Sequence, residues 1–417
     1  MRFFQVISVQ ECIRRLSALP LMPETLVPRR QALGLALARD VASPENLPPA
    51  DRAAMDGYAV RSEDLFGVTE GNPAYLQETA KVPVNAPATR ALGSGECMGI
   101  VTGAWMPKGA DAVLMGEHSE ELGAGAIEAR RSVAPGENVM HRADDAEAGA
   151  VALPAGTGIR PQEMGLLAAL GIREAFVHSR PEVALLSSGD EIVSPDKALE
   201  PGQMRDVNST ALAAILQQNG FAANCCGIVP DSSEHLTAAL TTALDKHDVV
   251  FLSGGSSLGI RDYTLEAISG LPGAFICAQG VAIKPGKPLI VGHIPDWRGQ
   301  GARTIWGLPG QAGSAQVVMH VLGLPFLRQT AGWRNSYDQS LWPARRATLA
   351  RNIASAQGRE EYIRVRLEPR PGLLPLAHAV TAPSGLLRSL LEAHGLVRIP
   401  APAEGLTAGA EVDCLLV

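Results

Sequence analysis

The sequence predicts a multi-domain α/β protein, and three observations support that fold class. First, 417 residues are too many for one hydrophobic core and correspond to about three domains. Second, strands and helices alternate between residues 180 and 325, which is typical of a doubly wound parallel sheet with helices on both faces. Third, residues 56–140 and the tail from residue 330 consist of short strands between glycine and proline turns, which indicates two β-rich parts, the second a small sandwich or barrel.

The composition is that of an ordinary globular protein, with 46% hydrophobic and 19% charged residues. A net charge of −7 and an aromatic content of 4% argue against binding of nucleic acid or of an anionic membrane. We find no signal peptide, no apolar run of about 18 residues and no CxxC pair among the six cysteines. We therefore expect a cytoplasmic protein with no membrane span and no cysteine-bound metal.

Helix signals mark the N-terminal region. The capping pattern Ser8–Glu11 predicts a helix over residues 8–18, and the segment from Arg29 to Arg39 predicts a second helix. A third is expected over residues 160–171, because Pro161 suits a first turn and Gly171 suits an end.

The α/β region can be read element by element. Asn208-Ser209-Thr210 is typical of a helix start, and Asn219-Gly220 of a helix end. The predicted strands are 183–186, 221–228, 248–252, 289–293 and 304–306, with helices beginning near residues 208, 231, 261 and 313. In the tail, alternation at period two predicts strands over 361–367, 396–400 and 412–417.

The most informative segment is the β-branched run Val249–Leu252, which ends in the glycine- and serine-rich loop 253–259. A strand that breaks into such a loop before a helix presents backbone N–H groups to an oxyanion. Lys284 and Lys287 follow on a turn stiffened by proline and glycine, and both can bind the same anion, although solvated turn lysines are the ordinary alternative. Leu308-Pro309-Gly310-Gln311 is a weaker turn signal that could close the same crevice.

Acidic residues follow three of the predicted strands. Glu191 comes after Gly189 at the end of the first strand, Asp231 follows the second, and Asp262 follows the glycine-rich loop. Each alone could cap a helix and stabilise it by about 1 kcal/mol. Together on one rim, carboxylates repel each other unless a cation lies among them, which favours a divalent metal such as Mg²⁺ beside phosphate oxygens. In the N-terminal half, Asp56 is as consistent with an Asx-turn as with a catalytic acid, and Asp145 could belong to a solvated acidic turn.

Eight segments of the chain occur in the order of one family's motifs. They are LPPADRAAMDGYAV (47–60), VTGAWMPKGADAVLM (101–115), PAGTGIRPQEMGLLAALGI (154–172), SSGDEIV (187–193), RDVNS (205–209), SGGSSLGIRDYT (253–264), IKPGKP (283–288) and LPGQAGSA (308–315). Together they resemble the MoeA family of molybdenum insertases, whose animal relative is the C-terminal domain of gephyrin.

The resemblance implies four parts in a homodimer. They are an elongated domain of helices and strands from residues 1–48 and 145–178, an inserted β-rich domain over 49–144, an α/β domain over 179–328 that is similar to the molybdopterin adenylyltransferase, and a C-terminal β-barrel over 329–417.

The resemblance also implies an activity. The family inserts molybdenum from molybdate into adenylyl-molybdopterin and releases AMP, with Mg²⁺ or Zn²⁺ as cofactor. Carried over by motif, the catalytic residues are Asp56, Asp145, Glu191, Asp231, Asp262, Lys284 and Lys287. The expected cofactor-binding residues are Thr102, Gly189, Ser253, Gly254, Gly255, Ser257, Gly259, Pro309 and Gly310. The expected metal ligands are Glu191, Asp231 and Asp262.

The chain departs from the family pattern at Ala53, Ala143, Ser256, Gln311 and Ala312. These changes suggest a divergent paralogue and keep a second hypothesis open, a carrier that binds molybdopterin without cleaving the adenylate. A gephyrin-like scaffold is a weaker third option, because no long linker is present. The molybdopterin adenylyltransferase and apo-molybdoenzymes are the protein partners that the resemblance suggests.

Overall fold

The structure is a computed structural model that describes residues 6–254, 260–381, 383 and 385–417; within helix Ile260–Ser269 it describes no side chain before Tyr263. Two chain segments form the N-terminal part. Strand Glu24–Pro28 and the short strand Ala36–Leu37 both pair with Glu174–His178, and Val41–Ala42 pairs with Val151–Leu153. Helix Pro161–Ala169 covers this sheet and ends before Gly171.

The first predicted helix is confirmed and the second is wrong. Helix Val9–Ser17 begins at Ser8, whose hydroxyl accepts a hydrogen bond from the Glu11 amide at 3.1 Å. Between residues 29 and 39 there is only one 3₁₀ turn, Arg29–Gln31, before Gly34 adopts a left-handed conformation with φ of +74°. Ala36–Leu37 is then buried as a strand, so pairing with the sheet overrides the local helix preference.

The inserted region contains a six-stranded sheet, in agreement with the predicted β-rich part. The strand order is Ala112–Met115, Gly57–Val60, Glu96–Ile100, Ala74–Lys81, Ala126–Ala129 and Ser119–Gly123. A small ribbon of Arg52–Ala53 and Val139–Met140 connects it to the N-terminal part. The 3₁₀ turns Ser62–Leu65 and Gly116–His118 join its strands.

The α/β region is built on a second six-stranded sheet. Its strand order is Ala223–Val229, Val183–Ser188, Val249–Ser253, Arg303–Leu308, Ile290–Ile294 and Phe275–Gln279. The first four strands are parallel as expected, but the last two run antiparallel to their neighbours. The connection over residues 295–302 contains no helix, and a link this short cannot cross over a sheet, so the strands that it joins must be antiparallel.

Helices cover both faces of this sheet, which confirms the doubly wound class. Asn208–Gln218 and the continuous helix 312–330, which has a π-helical turn at Met319–Gly323, pack on one face around Phe251 and Trp306. Ser233–Leu244 and Ile260–Ser269 pack on the other face around Leu252 and Ile305. The carboxyl ends of the parallel strands remain uncovered by these helices.

The tail forms a closed five-stranded β-barrel, as predicted. Its strands are Ala344–Leu349, Glu360–Glu368, Leu376–Ala379, Gly395–Ile399 and Glu411–Leu416. The ribbon of Ile353–Ala354 and Gly405–Leu406, the 3₁₀ turn Gln339–Leu341 and helix Arg388–Leu391 complete it. Strand Ile283–Lys284 of the α/β region pairs with Glu360–Glu361 and so extends the barrel sheet. None of the helices in the described part of the chain has the length and apolar character that a bilayer span requires.

Replacement of Phe251 by alanine should lower the free energy of unfolding by about 3–5 kcal/mol, because the ring is fully buried and packs on Trp306 at a centroid distance of 5.6 Å. Urea unfolding followed by circular dichroism measures the change. The matched control is Phe66→Ala, since Phe66 is 71% exposed and should change stability by less than about 0.5 kcal/mol. Equal losses in the two variants would contradict this assignment of the core.

Candidate active site

The carboxyl ends of three neighbouring parallel strands border a cavity of about 630 Å³. Ser187 and Ser188 end the first strand, Ser253 ends the second and is followed by Gly254, and Gly310 follows the third. This is the edge at which open α/β sheets bind ligands. Segments 199–207 and 385–387 form the outer wall, the latter from the C-terminal part of the chain.

Asn208 ties the ends of two strands together. Its side-chain amide nitrogen donates to the Ser253 hydroxyl at 2.6 Å and to the Gly310 carbonyl at 2.7 Å. The expected cap is displaced by two residues, because the Asp206 carboxylate accepts hydrogen bonds from the Ser209 amide and hydroxyl. Asn208 is therefore a site residue that sequence reasoning treated as a cap, and only the long-range contact with Gly310 shows its role.

Four polar atoms at this edge are buried without a hydrogen-bond partner. They are Ser187 Oγ, Ser188 Oγ, Asn208 Oδ1 and Asp231 Oδ1. A buried polar atom without a partner costs about 1–3 kcal/mol, so native proteins keep few of them. Ser187, Ser188 and Asn208 line the cavity, which makes this edge of the sheet the candidate ligand site.

The acidic rim that the sequence predicted is present in part. Glu191 lines the cavity, and the Asp231 amide donates to Asp190 Oδ1 at 3.2 Å. Burial raises the pKa of Asp231, and the charges of Asp190 and Glu191 raise it further. The Ser188 hydroxyl, which lies near Asp231 without a hydrogen bond of normal geometry, opposes that shift. Asp262 belongs to helix Ile260–Ser269, but its side chain lies outside the described part of the structure.

These carboxylates suit a divalent cation. Asp231 Oδ1 has no partner, and the neighbouring charges of Asp190 and Glu191 would be neutralised by a metal ion such as Mg²⁺, which prefers oxygen ligands. The described side chains contain no group of three His, Cys, Asp or Glu residues that could hold a metal by themselves. The ligand set Glu191, Asp231 and Asp262 thus remains a prediction.

The turn that carries the two lysines lies where the α/β region meets the barrel, and Lys287 lines a different cavity there. Lys284 pairs with the buried Glu361 at 2.5 Å. Lys287 is exposed and lines a cavity of about 290 Å³ together with Arg359 and residues 356–358 of the barrel. Gly286 between them has φ of +122°, and a Cβ there would lie 2.5 Å from Val318, so glycine lets this turn pack against helix 312–330.

The lysine turn and Glu191 therefore do not share one cavity among the described residues. Arg359, which sequence reasoning missed, has a buried Nε without a hydrogen-bond partner. Arg359 and Lys287 together make this second cavity cationic. Arg359 lies in the C-terminal region, far along the chain from the glycine-rich loop, so sequence motifs near that loop could not predict its role.

The inserted region brings Asp56 and Thr102 together. Asp56 Oδ1 accepts hydrogen bonds from the Thr102 amide at 2.6 Å and from its hydroxyl at 2.7 Å, and these bonds lower the pKa of Asp56. Asp145 is exposed and its amide donates to the Leu47 carbonyl. No described residue between 49 and 144 lines the cavity at Glu191.

Of the predicted binding residues, Ser253, Gly254 and Gly310 line the larger cavity. Gly189 and Pro309 each adjoin one of its lining residues in the chain. Gly255, Ser257 and Gly259 lie outside the described residues, as does Ser256.

The fold is that of a multi-domain α/β protein with a polar ligand cavity at the carboxyl edge of its central sheet, a β-rich insertion and a terminal barrel. Comparison with protein families is more specific. Residues 7–171 match the MoeA N-terminal region (domain I and II), residues 184–329 match a domain described as "Probable molybdopterin binding domain", and residues 346–417 match the MoeA C-terminal region (domain IV).

Individual relatives agree with these matches. The molybdopterin molybdenumtransferase of a Nostoc species is 34% identical over 91% of this chain and 86% of its own length. Molybdopterin molybdenumtransferase 2 of Mycobacterium tuberculosis is 33% identical over 93% of each chain. The crystal structure of the molybdopterin biosynthesis moeA protein from Pyrococcus horikoshii OT3 superposes with a TM-score of 0.76, at 28% identity, over 99% of this chain and 100% of that chain.

The chain belongs to the MoeA family of molybdopterin molybdenumtransferases. The resemblance seen in its motifs is confirmed, and membership of this enzyme family supports a role in molybdenum cofactor biosynthesis.

The raised pKa of Asp231 predicts an unusual dependence of stability on pH. A carboxyl whose pKa is raised by folding stabilises the protein below its unfolded pKa of about 3.9, and that contribution is lost as pH rises through the folded value. Without added metal, Asp231→Asn should therefore melt at a higher temperature than the parent protein at pH 7, with the difference vanishing toward pH 4. Differential scanning fluorimetry across this range measures it.

Asp338→Asn is the control, and its melting temperature at pH 7 should change in the opposite direction, because hydrogen bonds from Ser340 lower the pKa of Asp338. This variant should be less stable than the parent at pH 7. A lower melting temperature for Asp231→Asn at pH 7 would contradict the assigned environment of Asp231.

Proposed function

We propose that the protein inserts molybdenum from molybdate into adenylyl-molybdopterin and releases AMP. The observation that carries the proposal is the cavity at the carboxyl edge of the α/β sheet, where Glu191 and Asp231 accompany several unpartnered polar atoms. It lies in the region that matches the molybdopterin-binding domain. Several curated relatives that match more than nine-tenths of this chain carry the name molybdopterin molybdenumtransferase.

The acidic rim supports a metal-assisted cleavage of the adenylate. Asp231 and Glu191, together with Asp262, would hold Mg²⁺ or Zn²⁺, which neutralises charge on the phosphate oxygens when bound. The protein contributes by placing Glu191 and Asp231 at one rim, where a bound cation would offset the repulsion that raises the pKa of Asp231. Thermal shift tests this independently of activity: Mg²⁺ should raise the melting temperature of the parent protein and not that of Asp231→Asn.

The cationic cavity supports binding of an oxyanion such as molybdate. Lys287 is unpaired in the described structure, and Arg359 offers a planar fork of donors beside it. Lys284 contributes differently, because Glu361 already neutralises its charge. We assign Lys287 to anion binding and Lys284 to fixing the turn that carries it.

A homodimer would complete the site. Asp56, Thr102 and Asp145 lie outside the cavity of their own chain, and we propose that the partner subunit supplies them. We propose the cytoplasm as the site of action, with the molybdopterin adenylyltransferase supplying substrate and apo-molybdoenzymes receiving the product.

The carrier hypothesis is the second candidate. The departures at Ala53, Ser256, Gln311 and Ala312 favour it, because they lie in motifs that the resemblance connects with the reaction. A carrier has no need of an acidic rim, so the retained carboxylates favour catalysis.

Glu191→Gln, Asp262→Ala and Lys287→Ala should each lower the rate of AMP release by about 100-fold or more, because each removes charge from the proposed site. The assay combines purified protein with adenylyl-molybdopterin, molybdate and Mg²⁺ and measures AMP and molybdenum cofactor. The matched control is Glu234→Gln, an exposed carboxylate on the helix that follows Asp231, which should keep parental rates. Substrate binding without AMP release by the parent protein would favour the carrier.

Mixed dimers test the shared site. Asp56→Ala and Glu191→Gln should each be inactive alone, but a one-to-one hybrid restores one intact site when the two residues act in trans, giving about a quarter of parental activity after random exchange. Subunit exchange under mild denaturant followed by the AMP assay measures this. Hybrids without activity would show that Asp56 does not serve the partner's cavity.

A further inference from the structure

The inner wall of the larger cavity carries two unpartnered polar groups side by side. Ser187 pairs in register with Ser253 on the adjacent parallel strand, and the Ser253 hydroxyl accepts a hydrogen bond from Asn208. Ser187 is 3% exposed and Asn208 is 8% exposed. Their free atoms, Ser187 Oγ and Asn208 Oδ1, thus lie close together at the buried end of the cavity.

The chemistry of Asn208 restricts what it can bind. Its Nδ2 faces the Gly310 carbonyl, which accepts hydrogen bonds only, so this atom must be the amide nitrogen and the free atom must be the carbonyl oxygen. Both amide protons are used by Ser253 and Gly310, so Asn208 can only accept a hydrogen bond from a ligand. It therefore repels phosphate and molybdate oxygens and attracts an N–H group.

Ser187 complements this acceptor, because its hydroxyl can donate to a ring nitrogen or a carbonyl. Among the described lining residues the single arginine, Arg205, is exposed and donates to the Lys197 carbonyl. The carboxylates of Glu191 and Asp206 also line the cavity, so its described lining favours an N–H donor over an anion. The apolar residues that accompany these groups, which suit a flat ring, are Ile192, Leu199, Met204, Val207 and Leu387.

We infer that Ser187 and Asn208 read the hydrogen-bonding edge of a nitrogen heterocycle that carries an N–H donor beside an acceptor. The amino-oxo edge of a pterin and the amino edge of adenine both have this pattern. The choice of these rings rests on the proposed function, whose substrate contains both. The acidic rim with its proposed metal then serves the charged part of the ligand, and specificity for the ring comes from this neutral pair.

Ser187→Ala should weaken binding of the ring without lowering the stability of the free protein. The substitution removes a buried hydroxyl without a partner, so the melting temperature of the free protein should rise or stay unchanged. The dissociation constant for the bound ring should increase about five- to tenfold, the effect of one neutral hydrogen bond. The probes are unsubstituted pterin and AMP, each titrated into the full-length protein by isothermal calorimetry. Weaker binding of pterin alone identifies the pterin ring, and weaker binding of AMP alone identifies adenine.

The matched control is Ser62→Ala. Ser62 is 2% exposed, but its hydroxyl donates to Asp111 at 2.7 Å, so the loss should lower the melting temperature and leave both dissociation constants unchanged. Parental affinity of Ser187→Ala for both probes, a loss of stability like that of Ser62→Ala, or failure of the parent protein to bind either probe would overturn the inference. Absence of AMP release from adenylyl-molybdopterin while Ser187→Ala still weakens ring binding would refute the proposed reaction alone.

Discussion

The shared carboxyl edge of the parallel strands is the constraint on which the rest of the structure depends. Parallel pairing of Val183–Ser188, Val249–Ser253 and Arg303–Leu308 brings their ends together, and Asn208 fastens two of those ends through Ser253 and Gly310. Helices on both faces bury the strands themselves, so their polar ends are the part of the sheet left for a ligand. The unpartnered atoms there represent stability given up for binding.

Much of this could be predicted from the sequence because it depends on local patterns. The buried strand runs, the glycine-rich loop and the acidic residues after the strands are contiguous in the chain, and their period and turn chemistry are readable. The inserted sheet and the barrel were recognisable for the same reason. Pairing between distant segments was not readable, which is why Arg29–Arg39 was wrongly expected to be helical although its Ala36–Leu37 segment joins a strand 140 residues away.

The site shows the same division between local and distant information. Glu191 and Ser253 were found because each lies within a few residues of a strand's carboxyl end. The contacts of Asn208 with Gly310 and of Lys284 with Glu361 instead join residues about 100 and about 80 positions apart. The lysine motif predicted free cations, yet a buried carboxylate in the barrel neutralises one of them. No rule of spacing relates those two partners, so sequence reasoning assigned both lysines the same role.

Strand Ile283–Lys284 joins the barrel to the α/β region through backbone pairing, so the two regions are not structurally independent. Its backbone hydrogen bonds continue from the barrel into the α/β region, and the Ile7 backbone is hydrogen-bonded to Gly280 and Ala282 on the approach to this strand. Truncation of the chain before residue 344 would leave an open strand edge and an unneutralised Lys284, which invites aggregation. Fusion or fragment strategies that separate the two regions would therefore disturb the lysine turn even when each piece remains soluble.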